Sequence, residues 1–315
     1  MTGNYTDAFR LLSGMDDILL LTHRLPDGDA VGSLFALYLV LKDMGKRVKW
    51  ITDKIPKSLS AAQAEVCAED FEEKYVVALD VGDSKLLGDE LKEKYGQKVD
   101  LCIDHHGTNA AYAKYTLLDA SAAAACEVLY DMFTAAGVKI TPAIARELYI
   151  GIATDTGCFR YGNTTAKTLR TAAALMETGI DTAFLNTELF ETKSKEYVSF
   201  EKLALNSLRT YYDGRCALMI ITRDMYETSG LDEADDKAVN ALPRQIEGVL
   251  AGITVKEKRD RAGWRVSVRS KEPVSAAEIC MQLNGGGHRL AAGCELTGTR
   301  EEVVNSLLTA AGNVL

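Results

Sequence analysis

At 315 residues the chain is long for one domain, and two domains are expected. The composition, 47% hydrophobic and 26% charged, is that of a globular protein, and no apolar run approaches the roughly 20 residues that a membrane span needs. The net charge of −9 argues against a protein that grips long nucleic-acid duplexes through a basic surface.

The charge is uneven along the chain. Residues 1–190 carry 19 lysines and arginines against 27 acidic residues, and the remainder carries 17 against 18. Such an acidic first half is compatible with a small anionic substrate if metal ions neutralise its pocket. Seven cysteines without a Cys-x-x-Cys pair, and an N-terminus without a signal-peptide pattern, indicate a cytoplasmic protein.

The first half alternates short apolar runs with helical patterns, which predicts a parallel α/β sheet. The predicted strands are 18–22, 48–52, 75–80 and 101–104. The predicted helices are 29–44, 58–67, 84–95, 121–136, 142–153 and 165–177. A long helical stretch, 193–210, is expected to connect this domain, 1–192, to a second one, 211–315.

The second domain is predicted to be a smaller α/β unit. Its expected strands are 216–222, 248–256 and 264–270, the last two paired with each other. Its expected helices are 275–283 and 301–311, with an acidic loop at 229–236. A run of three glycines follows the first of these helices.

The four histidines of the chain all lie in short motifs rich in Asp or Gly. His23 opens the segment His-Arg-Leu-Pro-Asp-Gly-Asp, His105 and His106 follow Asp104, and His288 closes the three-glycine run. Imidazole and carboxylate together suit a divalent cation such as Mn²⁺, Mg²⁺ or Zn²⁺. This placement indicates that the histidines have a chemical function and are not present only for packing.

Five aspartates share a second feature, because each lies at the end of an apolar run or in a turn beside a helix. They are Asp27, Asp29, Asp80, Asp104 and Asp155. In open α/β sheets ligands bind at the carboxyl edge of the strands, where these side chains are expected to converge. A strand-end aspartate can instead cap a helix or a turn, and this alternative stays open for each of the five when it is considered alone. For the whole set, with histidines alongside, metal binding is the prediction.

These segments together resemble the DHH phosphoesterase family. The matching motifs are His23-x-x-Pro26-Asp27-Gly28-Asp29, the strand end at Asp80, Asp104-His105-His106 and Thr154-Asp155-Thr156-Gly157, followed by Gly285-Gly286-Gly287-His288, which resembles the glycine motif of the DHH-associated C-terminal domain. The resemblance covers nearly the whole chain. It implies a parallel-sheet DHH domain with helices on both faces, a helical linker and a smaller α/β domain.

The resemblance also implies a site for two Mn²⁺ ions, with Mg²⁺ or Co²⁺ as substitutes. His23 and Asp27 would hold one ion, Asp29, His105 and Asp155 would hold the other, and Asp80 would bridge both. Asp104 would orient a histidine or the loop, and His106 would contact the scissile phosphate or assist proton transfer. For His106 a packed loop histidine is the alternative.

Substrate contacts are expected mainly from the second domain. A glycine run exposes backbone N–H groups and allows a ligand to approach closely, and an arginine can bind phosphate bidentately. The candidate substrate-binding residues are Arg160, Arg269, Ser270, Gly285, Gly286, Gly287, His288 and Arg289. For Arg160 a structural salt bridge is the alternative.

Length and two-domain layout look most like the stand-alone nanoRNase and pAp phosphatase group of the family. The expected ligands are short single-stranded oligonucleotides and mononucleotides, bound in a cleft between the domains, with no duplex nucleic acid and no membrane. Monomer and homodimer both stay open. The alternatives are a cyclic di-AMP or pApA phosphodiesterase, an exopolyphosphatase and, outside enzymes, a nucleotide-sensing module.

Overall fold

The computed structural model describes residues 4–52, 55, 59, 71–259 and 263–315. The chain divides into two compact units, Met1–Thr192 and Lys193–Leu315. The stretch 193–210, expected as a connecting helix, contains the helix Lys195–Asn206, and this helix packs within the second unit.

The described part of the first unit contains a five-stranded parallel sheet in the order β2-β1-β3-β4-β5. The strands are β1 (Ile18–Leu21), β2 (Val48–Ile51), β3 (Tyr75–Leu79), β4 (Leu101–Asp104) and β5 (Tyr115–Leu118). The helices are α1 (Tyr5–Ser13), α2 (Gly28–Asp43), α3 (Asp89–Tyr95), α4 (Ala125–Ala135), α5 (Pro142–Asp155), α6 (Ala166–Met176) and α7 (Thr182–Asn186). Single turns of other helical types lie at Ser84–Leu87 and Thr187–Glu191.

Alternate residues of the sheet face opposite cores, as the period of two in a β-strand requires. Ile18 and Leu20 belong to the large core formed with α2, α4 and α5. Leu19 and Leu21 belong to a smaller core on the other face, which includes Tyr95 of α3. A parallel sheet covered on both faces is the architecture predicted from the sequence, and it is confirmed.

Helices α2 and α5 pack closely because small residues face each other. A Cβ atom on Gly32 would lie 2.5 Å from the carbonyl oxygen of Glu147 and 3.1 Å from the amide nitrogen of Gly151. A Cβ atom on Gly28 would overlap the side chain of Thr154. The contact brings the first turn of α2 beside the last turn of α5.

The described part of the second unit contains a six-stranded mixed sheet in the order β10-β11-β9-β8-β7-β6, in which only β7 and β8 pair in parallel. The strands are β6 (Arg209–Tyr211), β7 (Cys216–Ile221), β8 (Ala251–Glu257), β9 (Trp264–Ser270), β10 (Gly286–His288) and β11 (Ala291–Leu296). The helices are α8 (Lys195–Asn206), α9 (Arg223–Ser229), α10 (Leu242–Gln245), α11 (Ala276–Met281) and α12 (Arg300–Gly312).

This second sheet is also covered on both faces. Ile253 and Val268 face a core shared with α11 and α12. Met219 and Ile221 face a second core that includes Phe200 of α8 and residues around α9.

Several elements differ from the sequence-based expectation. The helix expected over 84–95 is interrupted at Gly88, which has a φ of 83°. A single turn, Ser84–Leu87, ends before Gly88, and α3 begins after it. Gly286, Gly287 and His288 form an edge strand, β10, which was not predicted. The helix expected over 58–67 lies outside the described residues except for Leu59. None of the helices in the described ranges is both long and apolar enough to cross a membrane.

We expect Gly32→Ala to lower the free energy of unfolding by about 1–3 kcal/mol, because the added methyl group would force α2 and α5 apart. Urea denaturation of the purified chain measures the change. Gly14→Ala is the matched control, since its Cβ atom would lie at an ordinary 3.5 Å from the carbonyl oxygen of Leu11. Equal stability of the two variants would contradict the close helix contact.

Candidate metal centre

The loop after β1 and the first turn of α2 supply three side chains of the candidate site. His23 lies two residues beyond β1, and Asp27 is the N-cap of α2. Asp27 Oδ1 accepts hydrogen bonds from the amides of Asp29 and Ala30, at 3.2 and 3.1 Å. Asp27 therefore caps a helix, and the same side chain also faces His23.

The first ligand group consists of His23, Asp27 and Asp80. Asp80 follows β3 directly and adopts a left-handed backbone conformation with φ 58°. His23 Nε2 lies 3.8 Å from Asp27 Oδ1 and 3.6 Å from Asp80 Oδ2. One imidazole nitrogen and two carboxylates thus face a common point.

The second ligand group consists of Asp29, His105 and Asp155. His105 Nε2 lies 3.8 Å from Asp29 Oδ2 and 3.6 Å from Asp155 Oδ2. Asp155 is the last residue of α5, so the close packing of α5 against α2 accounts for its place beside Asp29.

Asp80 lies between the two groups and turns one oxygen toward each. Its Oδ2 faces His23, and its Oδ1 lies 3.6 Å from His105 Nε2 and 3.4 Å from His106 Nδ1. Asp80 Oδ1 is buried and accepts no hydrogen bond from any residue that the structure describes. Such an orphaned carboxylate oxygen fits coordination of a cation.

The pKa values in the site reflect several carboxylates that lie close together. Burial and the charge of Asp29 raise the pKa of Asp80 to about 7. Burial and the neighbouring carboxylates, Asp29 first, raise the pKa of Asp155 well above its ordinary value. Burial lowers the pKa of His23, but the facing carboxylates outweigh burial and raise this pKa to about 10. Divalent cations would relieve this repulsion, so the donor set fits them.

Asp104, the last residue of β4, is fully buried and holds His106. Its Oδ1 lies 2.7 Å from His106 Nδ1 and also accepts the amide of His105 at 2.8 Å. Its Oδ2 accepts a hydrogen bond from Asn109 Nδ2 at 2.6 Å. These contacts connect Asp104 to both histidines and to Asn109, and the orienting role of Asp104 stays a prediction. Asn109 was missed, because a single asparagine in a loop carries no signal of what it contacts.

Arg269 and His288 lie on the same face of the second sheet. Both pair with Ala291, Arg269 from β9 and His288 from β10, with β11 between them. Residues two strands apart in a sheet are separated by about 10 Å. The register therefore places the guanidinium and the imidazole on either side of a small residue.

The other candidate substrate-binding residues of the second unit differ in burial and in the partners that their side chains already have. Ser270 is a correction: it is fully buried, its Oγ accepts the amide of Ala276 at 3.1 Å, and it is not a surface ligand. Arg289 forms a two-point ion pair with Glu272, at 3.0 and 2.8 Å.

The three glycines have different surroundings. A Cβ atom on Gly285 would collide with Cys294, and one on Gly287 would lie 2.6 Å from Ala292 Cα. Gly286 faces open space. Two of the three glycines are therefore required by packing.

Arg160 belongs to the first unit, five residues beyond Asp155. It is exposed, and its Nε donates to the carbonyl oxygen of Gly157 at 2.5 Å. This bond fixes the stem of the side chain next to the end of α5.

We expect Asp104→Asn to lower the pKa of His106 toward the ordinary value near 6.5. The hydrogen bond to Asp104 is the main cause that raises the pKa of His106 to about 9, against an opposing effect of burial. The pH titration of the His106 ring by NMR in metal-free protein measures it. Asp100→Asn, which changes a carboxylate bonded to the amide of Val76, is the control. An unchanged titration in Asp104→Asn would refute the assigned contact.

Comparison with known proteins is consistent with this geometry. Residues 17–152 match the DHH family, N-terminal domain, and residues 224–315 match the DHHA1 domain. The bifunctional oligoribonuclease and PAP phosphatase NrnA of Thermus thermophilus is 34% identical over 287 residues, which cover 89% of this chain and 84% of that protein. The protein of the same name from Bacillus subtilis is 30% identical over 297 residues, with coverage of 92% and 93%.

A solved structure shares the fold of the whole chain. The crystal structure of an exopolyphosphatase-related protein from Bacteroides fragilis superposes with a TM-score of 0.87 at 24% identity, covering 98% of this chain and 96% of that one. The matched domains and the similarity to relatives along most of their length lead to one assignment: the chain belongs to the DHH family of phosphoesterases, with a DHHA1 domain after the DHH domain.

Proposed function

We propose that the protein hydrolyses short oligoribonucleotides to nucleoside monophosphates and removes a phosphate from pAp. The observation that carries the proposal is Asp80, which turns one oxygen toward each of two ligand groups at the sheet edge. The relatives named oligoribonuclease and PAP phosphatase support the substrate class.

In this proposal two divalent ions, taken as Mn²⁺ with Mg²⁺ or Co²⁺ as substitutes, occupy the centre. His23 and Asp27 would hold one ion, Asp29, His105 and Asp155 would hold the other, and Asp80 would contribute to both. Two such ions would supply an activated water molecule and stabilise the charge that develops in phosphoryl displacement.

His106 is assigned to the reacting phosphate, and Asp104 is assigned to the orientation of His106. The hydrogen bond that His106 Nδ1 donates to Asp104 is the main cause that raises the pKa of the ring, to about 9 without bound metal. A positively charged imidazole is suited to bind a phosphate oxygen or to donate a proton to the leaving oxygen. His106 Nε2 is the atom assigned to this contact, because Nδ1 faces Asp104.

We assign the metals to residues 1–192 and part of the substrate contact to the domain that follows. Arg269 and His288 are proposed to bind a phosphate of the substrate. Their common face supports this role. Gly286, whose surroundings are open, leaves room for a ligand beside His288.

A substrate panel tests the proposed function. The purified chain with Mn²⁺ is given 5-mer and 24-mer RNA, pAp, cyclic di-AMP, pApA and polyphosphate, and the products are quantified. We expect nucleoside monophosphates from the 5-mer and AMP from pAp, with rates that fall steeply on the 24-mer. A preference for cyclic di-AMP or pApA, or for polyphosphate, would replace the proposal by the corresponding alternative. Nucleotide binding without turnover would indicate a sensing module.

We expect Asp80→Asn to reduce kcat by more than about 100-fold, because loss of even an outer partner of a metal ligand typically costs 10–100-fold. The manganese content, measured by elemental analysis, should fall in the same variant. Asp100→Asn, directly before the neighbouring strand β4, should retain both. Full activity of a folded Asp80→Asn protein would remove the basis of the two-metal assignment.

Arg269→Ala and His288→Ala should leave the manganese content at the wild-type level and raise KM for pAp. Losing one charge-assisted contact to phosphate costs roughly 1.5–3 kcal/mol. Arg265→Ala, at an exposed position of the same strand, is the control. Loss of a metal equivalent in either variant would mean that these residues hold the ion and not the substrate.

A further inference from the structure

One short backbone segment, 122–126, contacts two residues of the second ligand group directly. The carbonyl oxygen of Ala122 lies 3.3 Å from His105 Nδ1, which leaves Nε2 of that ring for the site. The amides of Ala125 and Cys126 donate to the two carboxylate oxygens of Asp29, at 2.6 and 2.9 Å. The run of alanines before α4 therefore acts through its main chain.

Asn163 connects this segment to the third member of the group. Its Nδ2 donates to the carbonyl oxygen of Ala123 at 3.1 Å and to the carbonyl oxygen of Asp155 at 3.2 Å. A single amide group thus joins the segment that orients His105 and Asp29 to the end of the helix that presents Asp155.

The peptide units around Ala123 are held from opposite sides. The Ala123 amide donates to Glu127 Oε2 at 2.7 Å, and Glu127 is fully buried. The Ala123 carbonyl accepts from Asn163, one residue after the carbonyl that faces His105. Without Asn163 the segment would keep its buried anchor and the contact of Cys126 Sγ with the carbonyl oxygen of Glu147 in α5, and it would lose its hydrogen-bonded link to the carbonyl of Asp155 at the end of that helix.

The first ligand group is held differently. His23 Nδ1 lies 3.1 Å from the carbonyl oxygen of Arg24 in its own loop, and Asp27 accepts amides of α2. The contacts that orient the two groups thus come from different parts of the chain, apart from the shared Asp80.

We infer that Asn163 is a positioning residue that sets the affinity of the ion held by Asp29, His105 and Asp155 and leaves the other ion unaffected. The inference rests on the two-metal function proposed above. Asn163 is exposed, so its replacement opens no cavity in the core. An effect on metal affinity would therefore come from the two hydrogen bonds and not from lost packing.

Asn163→Asp tests the two hydrogen bonds most specifically, because the asparagine and aspartate side chains have nearly the same shape. The carboxylate has no N–H to donate and would face two carbonyl oxygens, which repel it. Asn163→Ala removes both hydrogen bonds without adding a charge. Gln97→Glu makes the same amide-to-carboxylate change at an exposed position before β4, at the sheet edge opposite Asp104, and serves as the control.

Isothermal titration of the chelator-stripped full chain with Mn²⁺ tests the inference. Wild type and Gln97→Glu should bind two ions. In Asn163→Asp and Asn163→Ala one Kd should weaken by about 10–100-fold, as for other partners that orient metal ligands, while the second Kd is retained. Turnover of pAp by the variants should recover at saturating Mn²⁺, with little change in KM for pAp.

The outcomes separate this inference from the proposed function. A wild-type chain that binds no ion would refute the proposed function itself. Two bound ions in wild type with unchanged Kd values in both Asn163 variants would refute only the positioning role. Equal weakening of both ions, or the same weakening in Gln97→Glu, would also refute it. If Asn163→Asp does not fold, as judged by circular dichroism, Asn163→Ala decides alone.

Discussion

Mutual repulsion among four carboxylates at one sheet edge is the constraint around which the first domain is arranged. Asp27, Asp29, Asp80 and Asp155 converge there, and burial raises the cost of their charges. Backbone donors offset part of this cost: two amides of α4 bind Asp29, and amides of α2 bind Asp27. The remaining repulsion is what divalent cations would neutralise.

Both strands and helices position these carboxylates. Asp80 and Asp104 end two adjacent parallel strands, so the sheet register fixes their separation. Asp29 and Asp155 lie on two different helices, and their separation depends on the contact between those helices and on the hydrogen bonds of segment 122–126 and Asn163. One ligand group thus depends on the hydrogen bonds of a sheet, and the other also depends on side-chain packing and on the segment 122–126.

The fold, and the convergence of the side chains proposed as metal ligands, could be predicted because both leave periodic or local marks in the sequence. Buried parallel strands read as apolar runs, and each ligand follows such a run or borders a helix. The partners of those ligands could not be predicted, because Asn109, Asn163 and the alanines near 123 act through contacts that depend on the tertiary structure. Ser270 failed for the same reason: an alternating strand shows which residues share a face, but not that Ala276 and Arg289 cover its hydroxyl. For the glycine run the sequence could not show that packing also excludes a side chain at Gly285 and Gly287, whereas the positive φ of Gly287, 143°, agrees with the conformational freedom of glycine.

The close contact of α2 with α5 has a consequence for which cation the protein accepts. Gly28 and Gly32 let the helix axes approach, and the last turn of α5 carries Asp155 toward Asp29. The separation of the two helices therefore contributes to the radius of the cavity that would hold an ion. Mg²⁺ demands short bonds of about 2.0–2.1 Å in near-ideal octahedral geometry, whereas larger ions tolerate longer ones. Side-chain volume at Gly28 and Gly32, neither of which supplies a proposed ligand, would thus be coupled to the choice of cation.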